Sequence, residues 1–332
     1  MRHNVSVPPP PTCFCGNPSC ASYDCTYCHQ DVIESMDYRV LDVSQEGPLS
    51  IVRPACQTVP MVIASGHSGN LYSPDFLSIS RLDYDTLRKS EDCFVDELFD
   101  AAPELGAPIL RAHFPRAWCD PNREAWELDP TMFEEALPDW VNTGSARVEA
   151  GLGTLARIVA SGEPIYRRKL LFSEAAARVH DCWQPYHAAL SQLIEETHSQ
   201  FGICLLVDCH SMPSAVGLSG NRLPRRQNDA DMVLGDLHGT SCANTITMAA
   251  EATLQRLGYA VRRNNPYAGG YVTQHYGRPG KAVHVLQIEI ARALYMDEER
   301  YLKNAHFSFI RQAMTSLMSG LGATAALLSR TA

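Results

Sequence analysis

Three short apolar runs along the chain have the length and composition of buried β-strands. They cover residues 59–65, 203–209 and 282–290, and aliphatic side chains dominate each of them. Continuous runs of this kind are typical of strands that are covered on both faces. Ligands of such sheets bind beyond the carboxyl ends of the strands. Each run ends at or just before a side chain capable of chemistry: His67, His210 and Glu289.

Apolar residues that recur at spacings of three and four predict the helices of the chain. The segments concerned are residues 91–102, 147–160, 174–200, 241–257 and 298–318. Pro185 interrupts the third of them. Shorter strands are predicted at residues 108–114 and 259–263. Because strands and helices alternate, we expect an α/β fold with a single domain and a mixed central β-sheet flanked by helices.

Length, composition and charge narrow the class of protein. At 332 residues with 45% hydrophobic content, the chain can bury a large core. No apolar stretch approaches the roughly 18 to 20 residues of a membrane span, and residues 1–11 lack the apolar region of a secretory signal. We therefore expect a cytoplasmic protein with no membrane partner. A formal charge of −9 without a basic run argues against nucleic-acid binding and favours a small-molecule enzyme.

Residues 1–57 are predicted to be an extension rich in cysteine and proline, followed by a catalytic domain at residues 58–325. Most of the twelve cysteines are expected to be reduced thiols, because the chain is large and carries no secretory signal. The extension holds a cluster of soft ligands: Cys13, Cys15, Cys20, Cys25, Cys28 and His29. This cluster favours a second zinc ion, and the alternative is a flexible tail without metal.

His67 and His210 are candidate zinc ligands, because two imidazoles at matching strand ends favour a shared cation. Catalytic zinc takes three protein ligands and leaves a fourth position to water, which it acidifies. For the third ligand we choose Asp92, with Glu91 as an alternative. Asn70 also lies near His67, but a neutral amide is a poor zinc ligand. Asp92 has a second interpretation, since acidic residues at the beginning of a helix commonly interact with the helix dipole.

Glu289 is the candidate general acid/base. A carboxyl group in apolar surroundings has a raised pKa, which suits a group that takes a proton from water and returns it to a leaving amine. The alternative is a structural ion pair between Glu289 and Arg292. Arg116 is a candidate for stabilising a developing oxyanion, and Arg123 for binding a substrate carboxylate. The alternative for either of these two arginines is an ordinary surface charge.

Three loops are predicted to lie near the substrate. Residues 265–271 contain the glycines of a tight loop, and Tyr267 and Tyr271 are the candidate walls of a pocket; an ordinary turn explains the segment equally well. His238 precedes a predicted helix and is expected to face the substrate. The polar stretch at residues 214–229 is predicted to be a mobile loop that acts as a lid.

Together these motifs resemble the N-formylglutamate amidohydrolase family. The resemblance runs over residues 61–298 and leaves the first 57 residues outside. It rests on Gly66-His67-Ser68-Gly69, Glu91-Asp92, Asp120-Pro121-Asn122-Arg123 and the segments 208–213, 231–241, 265–271 and 287–297. The family is similar to the zinc carboxypeptidases and aspartoacylases. The resemblance therefore implies a zinc-carboxypeptidase-like (phosphorylase/hydrolase-like) α/β fold and amide hydrolysis.

Carried over to this chain, the resemblance implies that His67 and His210 bind one catalytic Zn²⁺. It also implies that Asn122 and Arg123 receive the substrate carboxylate, and that Glu289 is the acid/base. The chain departs from its relatives at three positions. Asn70 stands where they carry a glutamate ligand, Leu237 where they carry an arginine, and Ala291 where they carry an asparagine.

The implied reaction is hydrolysis of N-formyl-L-glutamate to formate and L-glutamate by a metal-activated water, in histidine catabolism. One alternative is a related deacylase or carboxypeptidase-like hydrolase of another N-acyl amino acid or small peptide, which uses the same chemistry. A different class of protein, a non-catalytic binding protein that acts through the Cys-rich extension, is the second alternative. The sequence leaves the native metal, the preferred acyl group and the oligomeric state open.

Overall fold

A computed structural model describes residues 47–214 and 230–330 of the chain. The cysteine cluster of the predicted extension and residues 215–229 of the predicted lid lie outside the described residues. The central sheet is built from seven strands: β1 (Leu49–Val52), β2 (Met61–Ser65), β3 (Ile109–Ala112), β4 (Cys204–Met212), β5 (Met232–Gly235), β6 (Val261–Arg263) and β7 (Val283–Ala291). Their order across the sheet is β1-β3-β2-β4-β7-β5-β6.

The sheet is mixed, as the sequence predicts. Strands β3, β2, β4 and β7 are parallel neighbours, whereas β1 pairs antiparallel with β3, and β5 pairs antiparallel with β7. The predicted apolar strands are buried because helices cover both faces of the sheet. Met61 and Ile63 of β2 pack into one core, whereas Val62 and Ala64 pack into the other, since alternate side chains of a strand point to opposite faces.

The helices flank this sheet: Pro74–Ile79, Tyr84–Arg88, Val95–Leu98, Ala146–Glu149, Phe172–Arg178, Gln184–Phe201, Asn244–Arg256, Tyr271–Tyr276 and Phe307–Ser329. A π-helical stretch at Val179–Trp183 ends two residues before Pro185, which confirms the interruption of the helix predicted at residues 174–200. Short 3₁₀ turns lie at Pro130–Met132, Pro279–Lys281 and Arg292–Leu294.

The helix predicted at residues 147–160 is wrong. Only the single turn Ala146–Glu149 forms, because Gly151 adopts a left-handed backbone with φ of 76° and directs the chain away from the helix. Leu155 and Val159 are nevertheless buried. The apolar spacing in this segment therefore reflects the packing of an irregular loop and not a helical face.

Two other helices differ in their bounds. The helix predicted at residues 91–102 is reduced to Val95–Leu98, because Phe94 is left-handed, with φ of 63°, at its beginning. The helix predicted at residues 298–318 begins only at Phe307 and runs to Ser329, since a two-stranded hairpin occupies the preceding segment. That hairpin consists of β8 (Met296–Asp297) and β9 (Leu302–Lys303).

The sheet begins before the predicted start of the catalytic domain. Strand β1 lies within the segment that the sequence assigns to the extension, and it pairs along its whole length with β3. The division of the chain into an extension and a catalytic domain remains a prediction. Of the helices in residues 47–214 and 230–330, none is both long and apolar enough to cross a bilayer.

Candidate metal centre and active-site cavity

The carboxyl ends of the parallel strands bring three predicted site residues to one edge of the sheet. His210 lies within β4 rather than beyond it, and its Cα is in register with that of Glu289 on β7. His67 follows β2, which pairs with the other side of β4. Parallel neighbours end at the same edge of a sheet, so residues far apart in sequence converge here.

His67, Asp92 and His210 form a buried cluster whose candidate ligand atoms all lie within 4.8 Å of one another. The Nδ1 atoms of both rings face the same carboxylate oxygen. His210 Nδ1 lies 3.1 Å and His67 Nδ1 lies 3.4 Å from Asp92 Oδ2. The fold thus gathers the three residues that the sequence predicts as metal ligands.

The two alternatives for the third ligand lie elsewhere. Glu91 is buried, and its carboxylate accepts hydrogen bonds from Arg88 Nε at 3.1 Å and from Cys93 Sγ at 3.0 Å. Asn70 is exposed. Neither side chain belongs to the cluster of the two histidines.

The second oxygen of Asp92 is anchored by hydrogen bonds. Ser211 Oγ donates to Asp92 Oδ1 at 3.0 Å, and Arg292 Nη2 donates to the same oxygen at 3.2 Å. Within the described residues, Arg292 therefore pairs with Asp92 and not with Glu289. Although burial opposes ionisation, contacts with the two histidines hold the pKa of Asp92 well below its usual range. Asp92 does not cap the helix that follows it, which has no side-chain cap.

A carboxylate oxygen lies near the Nε2 atom of each imidazole, whereas the Nδ1 atoms face Asp92. His67 Nε2 lies 2.7 Å from Asp120 Oδ1, and His210 Nε2 lies 3.0 Å from Asp208 Oδ1. When Nε2–H donates to such a carboxylate, the lone pair of Nδ1 is left for a cation. Burial opposes protonation of His210, but Asp208 and Asp92 raise its pKa well above the ordinary value. The same negative potential favours a bound cation.

These residues fit a divalent cation. His67 Nδ1 is buried and makes no hydrogen bond within the described part of the chain. An unsatisfied buried nitrogen is costly, and ligation would remove that cost. Two imidazole nitrogens and one carboxylate oxygen are also a donor set that catalytic zinc prefers.

Glu289 lines the same cavity as the cluster, a space of about 310 Å³ that we call the catalytic cavity. Gln287 Nε2 donates a hydrogen bond to Glu289 Oε1 at 2.9 Å. Burial raises the pKa of Glu289 to about 8, against the opposing effect of the nearby His210. A carboxyl group with a pKa near neutrality is suited both to accept and to donate a proton.

Arg116, Asn122 and Arg123 line the catalytic cavity, as predicted, but each also has partners within the protein. Arg116 Nη2 donates to Asp120 Oδ2 at 2.7 Å. Asn122 Nδ2 lies 3.2 Å from His210 Nε2. Two nitrogens of Arg123 donate to backbone carbonyl groups at 2.7 and 2.8 Å. The catalytic and substrate-binding roles of these residues remain predictions.

Two further predicted substrate residues, Tyr271 and His238, do not line the catalytic cavity. Tyr271 lines a neighbouring space of about 540 Å³, which we call the second cavity, whereas Tyr267 lines the catalytic cavity. His238 is exposed and lines neither of them. Its backbone is left-handed, and its N–H donates to Asn264 Oδ1 at 3.3 Å, so the residue forms part of a surface turn.

His187 fixes the segment that supports both imidazoles, and sequence reasoning missed it. Its Nε2 lies 2.8 Å from the carbonyl oxygen of Pro121, and its Nδ1 lies 2.8 Å from the hydroxyl of Tyr276. Pro121 stands between the two residues that contact the histidine rings. A histidine in the middle of a helix gives no sequence signal for such a role. Asp208, in contrast, was detectable, because it lies two positions before His210 on the same strand.

The free energy of unfolding is expected to fall below about pH 6.5 partly because of His187. Burial lowers its pKa to about 4, whereas a histidine in the unfolded chain has a pKa of about 6.5. The unfolded chain therefore takes up its proton first, and stabilisation present above that pH is lost as the pH falls towards 4. We expect this group to lower the free energy of unfolding by about 3 kcal/mol over that range. Urea unfolding of wild type and His187→Gln between about pH 7.5 and 4.5 measures the difference.

In this comparison, His187→Gln should show the weaker pH dependence. His180→Gln is the control, because His180 is exposed. Equal slopes for wild type and His187→Gln would contradict the assignment of the buried neutral imidazole.

Comparisons with known proteins agree with this geometry. The sequence model of the family described as N-formylglutamate amidohydrolase matches residues 59–296. The chain is 30% identical over 271 residues to the N-formylglutamate deformylase of Pseudomonas aeruginosa, covering 79% of this chain and 93% of that protein. It is 29% identical over 248 residues to the N-formylglutamate deformylase of Pseudomonas putida, covering 72% and 83%.

Solved structures show the same similarity. The crystal structure of N-formylglutamate amidohydrolase from Ralstonia eutropha JMP134 matches with a TM-score of 0.74 and 34% identity, covering 86% of this chain and 98% of that chain. A gene product of Agrobacterium tumefaciens shares the fold with a TM-score of 0.59 at 17% identity, covering 85% of this chain and 98% of that chain.

Proposed function

This chain belongs to the N-formylglutamate amidohydrolase family, and on that premise we propose that it hydrolyses N-formyl-L-glutamate to formate and L-glutamate with a zinc ion at His67, Asp92 and His210. As a member of that family it is a hydrolytic enzyme that acts on an amide. The convergence of these three residues with Glu289 in one cavity supports the proposal.

In the proposed mechanism, a zinc ion held by these residues would supply a Lewis acid and acidify water. Glu289 accepts a proton from the water that attacks the formyl carbon. It then returns the proton to the amino nitrogen of glutamate as the C–N bond breaks. Arg116, at the cavity wall, stabilises the negative charge that develops on the formyl oxygen.

The proposed substrate is a small molecule, and the catalytic cavity has a volume suited to one. The wall of the cavity also carries several guanidinium groups, which suit a substrate that bears carboxylates. A cytoplasmic location, a place in histidine catabolism and a second zinc ion in the cysteine cluster remain predictions.

Purified protein loaded with zinc is expected to release formate from N-formyl-L-glutamate, because the residues that would hold the cation, the base and the oxyanion partner line one cavity. The measurement is formate release over a panel of N-formyl and other N-acyl amino acids at a fixed zinc concentration. Treatment with a chelator should abolish release, and adding zinc back should restore it.

Three outcomes would contradict the proposal. Preferential cleavage of other acyl groups, with N-formylglutamate left intact, would favour the related deacylase. Formate release that survives complete metal removal would contradict the zinc-dependent mechanism. Absence of hydrolysis over the whole panel would favour the non-catalytic binding protein.

A further inference from the structure

Arg147 stands where the catalytic cavity meets the second cavity. It lies on the single helical turn Ala146–Glu149, is exposed, and lines both spaces. Arg123 also lines both, and the two guanidinium groups are close enough for Arg147 to help lower the pKa of Arg123, which burial lowers most. Two cations in proximity repel each other unless an anion lies between or beside them.

The other arginines of the catalytic cavity already have partners. Arg116 pairs with Asp120 at 2.7 Å, and Arg292 pairs with Asp92 at 3.2 Å. Arg123 donates to two backbone carbonyl groups. Within residues 47–214 and 230–330, the side chain of Arg147 makes no hydrogen bond or ion pair, and only its backbone carbonyl accepts a bond, from Leu152 N–H at 2.8 Å. Among the four arginines of this cavity, its guanidinium is therefore the one with no partner in the described residues, and it is free to bind a carboxylate of the substrate.

The charges around the catalytic cavity point to the kind of anion. Four arginines line it: Arg116, Arg123, Arg147 and Arg292. Three carboxylates face them: Asp92, Asp120 and Glu289. A divalent cation at the cluster would make the excess of positive charge larger. An acidic N-formyl amino acid, which carries two carboxylates, complements this excess better than a neutral one does.

We propose that Arg147 is a specificity-determining residue that binds the side-chain carboxylate of the substrate and thereby selects acidic N-formyl amino acids. This inference rests on the proposed function. The side-chain carboxylate is the one farther from the formyl group. Arg147 lies at the junction with the second cavity, which none of the three residues of the cluster lines. A guanidinium binds a carboxylate through two parallel hydrogen bonds.

The test compares N-formyl-L-glutamate with N-formyl-L-glutamine, in which a neutral amide replaces the side-chain carboxylate. Arg147→Ala should lower kcat/KM for the glutamate compound by roughly ten- to hundredfold, the range expected for hydrogen bonds to a charged group. The loss should lie mainly in KM, because the contact is made in the ground state and the transition state alike. For the glutamine compound, the same substitution should change kcat/KM by less than about twofold.

Glu149→Ala is the matched control, because Glu149 is exposed on the same helical turn and lines neither cavity. Its kinetic constants should equal those of wild type. Arg147→Lys should fall between wild type and Arg147→Ala, since lysine keeps the charge but loses the two-point geometry. Equal losses on both substrates, or no loss on either, would overturn the inference. A third compound, the α-amide of N-formylglutamate, keeps the side-chain carboxylate but lacks the α-carboxylate. If Arg147→Ala lowered kcat/KM for N-formyl-L-glutamate but not for this α-amide, Arg147 would bind the α-carboxylate, and the inference would be overturned.

A binding measurement separates this inference from the proposed function. Calorimetric titration with L-glutamate and L-glutamine needs no turnover. Arg147→Ala should weaken the binding of L-glutamate by roughly tenfold or more and leave the binding of L-glutamine unchanged. If wild type releases no formate, the proposed function fails, whereas the titration still decides the role of Arg147.

Discussion

His210→Ala and His67→Ala proteins are expected to lose the catalytic metal ion and, with it, on the order of a thousandfold in turnover. Each substitution removes one of three buried candidate ligands whose donor atoms lie within 4.8 Å of one another. A Lewis-acid metal contributes several kcal/mol to catalysis, and each step of about 1.4 kcal/mol is a tenfold change in rate. Metal content by elemental analysis and kcat for formate release are the two measurements.

A histidine at the opposite end of the sheet provides the control. His284 is also buried, but it lies at the beginning of β7, whereas Glu289 lies near the end of that strand. His284→Ala should keep its metal ion and its kcat. Asp120→Asn should lower metal affinity by roughly ten- to hundredfold without abolishing it, because Asp120 acts through the ring of His67. Full metal content in His210→Ala would contradict the assignment of the cluster.

Glu289→Gln is expected to retain the metal ion and to lower kcat by at least about a hundredfold. Glutamine has nearly the same volume and hydrogen-bonding reach as glutamate, but it cannot accept and return a proton. The protein already places this carboxyl group where burial raises its pKa to about 8, which is the property that the substitution removes. Steady-state kcat and metal content of the variant together measure the effect.

Glu91→Gln is the matched control, since it makes the same change at another buried glutamate. The carboxylate of Glu91 contacts Arg88 and Cys93 and not the metal cluster. We expect its metal content to equal that of wild type and its kcat to change by less than about threefold, within the range of substitutions outside functional contacts. Substantial turnover by Glu289→Gln would refute the acid/base role of Glu289. Loss of the metal ion in Glu91→Gln would indicate that Glu91 is a metal ligand.

The local sequence predicted a strand correctly wherever the burial of that single element determines its apolar pattern. The apolar runs gave β2, β4 and β7 to within a few residues, because a strand covered on both faces must be apolar along its length. The same reasoning failed at residues 147–160. Apolar residues recur there at helical spacing, but a left-handed glycine breaks the helix and the side chains pack from a loop.

The choice of a third metal ligand between two neighbouring acidic residues shows a second limit of prediction from sequence. Glu91 and Asp92 are adjacent, and both are buried. Which of them faces the histidines depends on the turn that ends at the left-handed Phe94, and no local pattern reports that turn. The sequence favoured Asp92, and the structure brings Asp92 to the histidines, but only the folded chain distinguishes the two.

The sequence by itself determined the α/β architecture, the strands that end at one edge of the sheet, and the presence there of His67, His210 and Glu289. These features follow from apolar patterning and from the rule that parallel strands end together. Only the tertiary structure decided how the site is held: the carboxylates behind each imidazole, the anchoring of Asp92, and the position between two cavities of Arg147, whose side chain has no partner in the described part of the chain. The physical reason is that such contacts join residues distant in the chain, as Asp92 and His210 are at 118 positions apart. Hydrogen-bond geometry depends on positions to within a few tenths of an ångström, which burial patterns along a sequence do not specify.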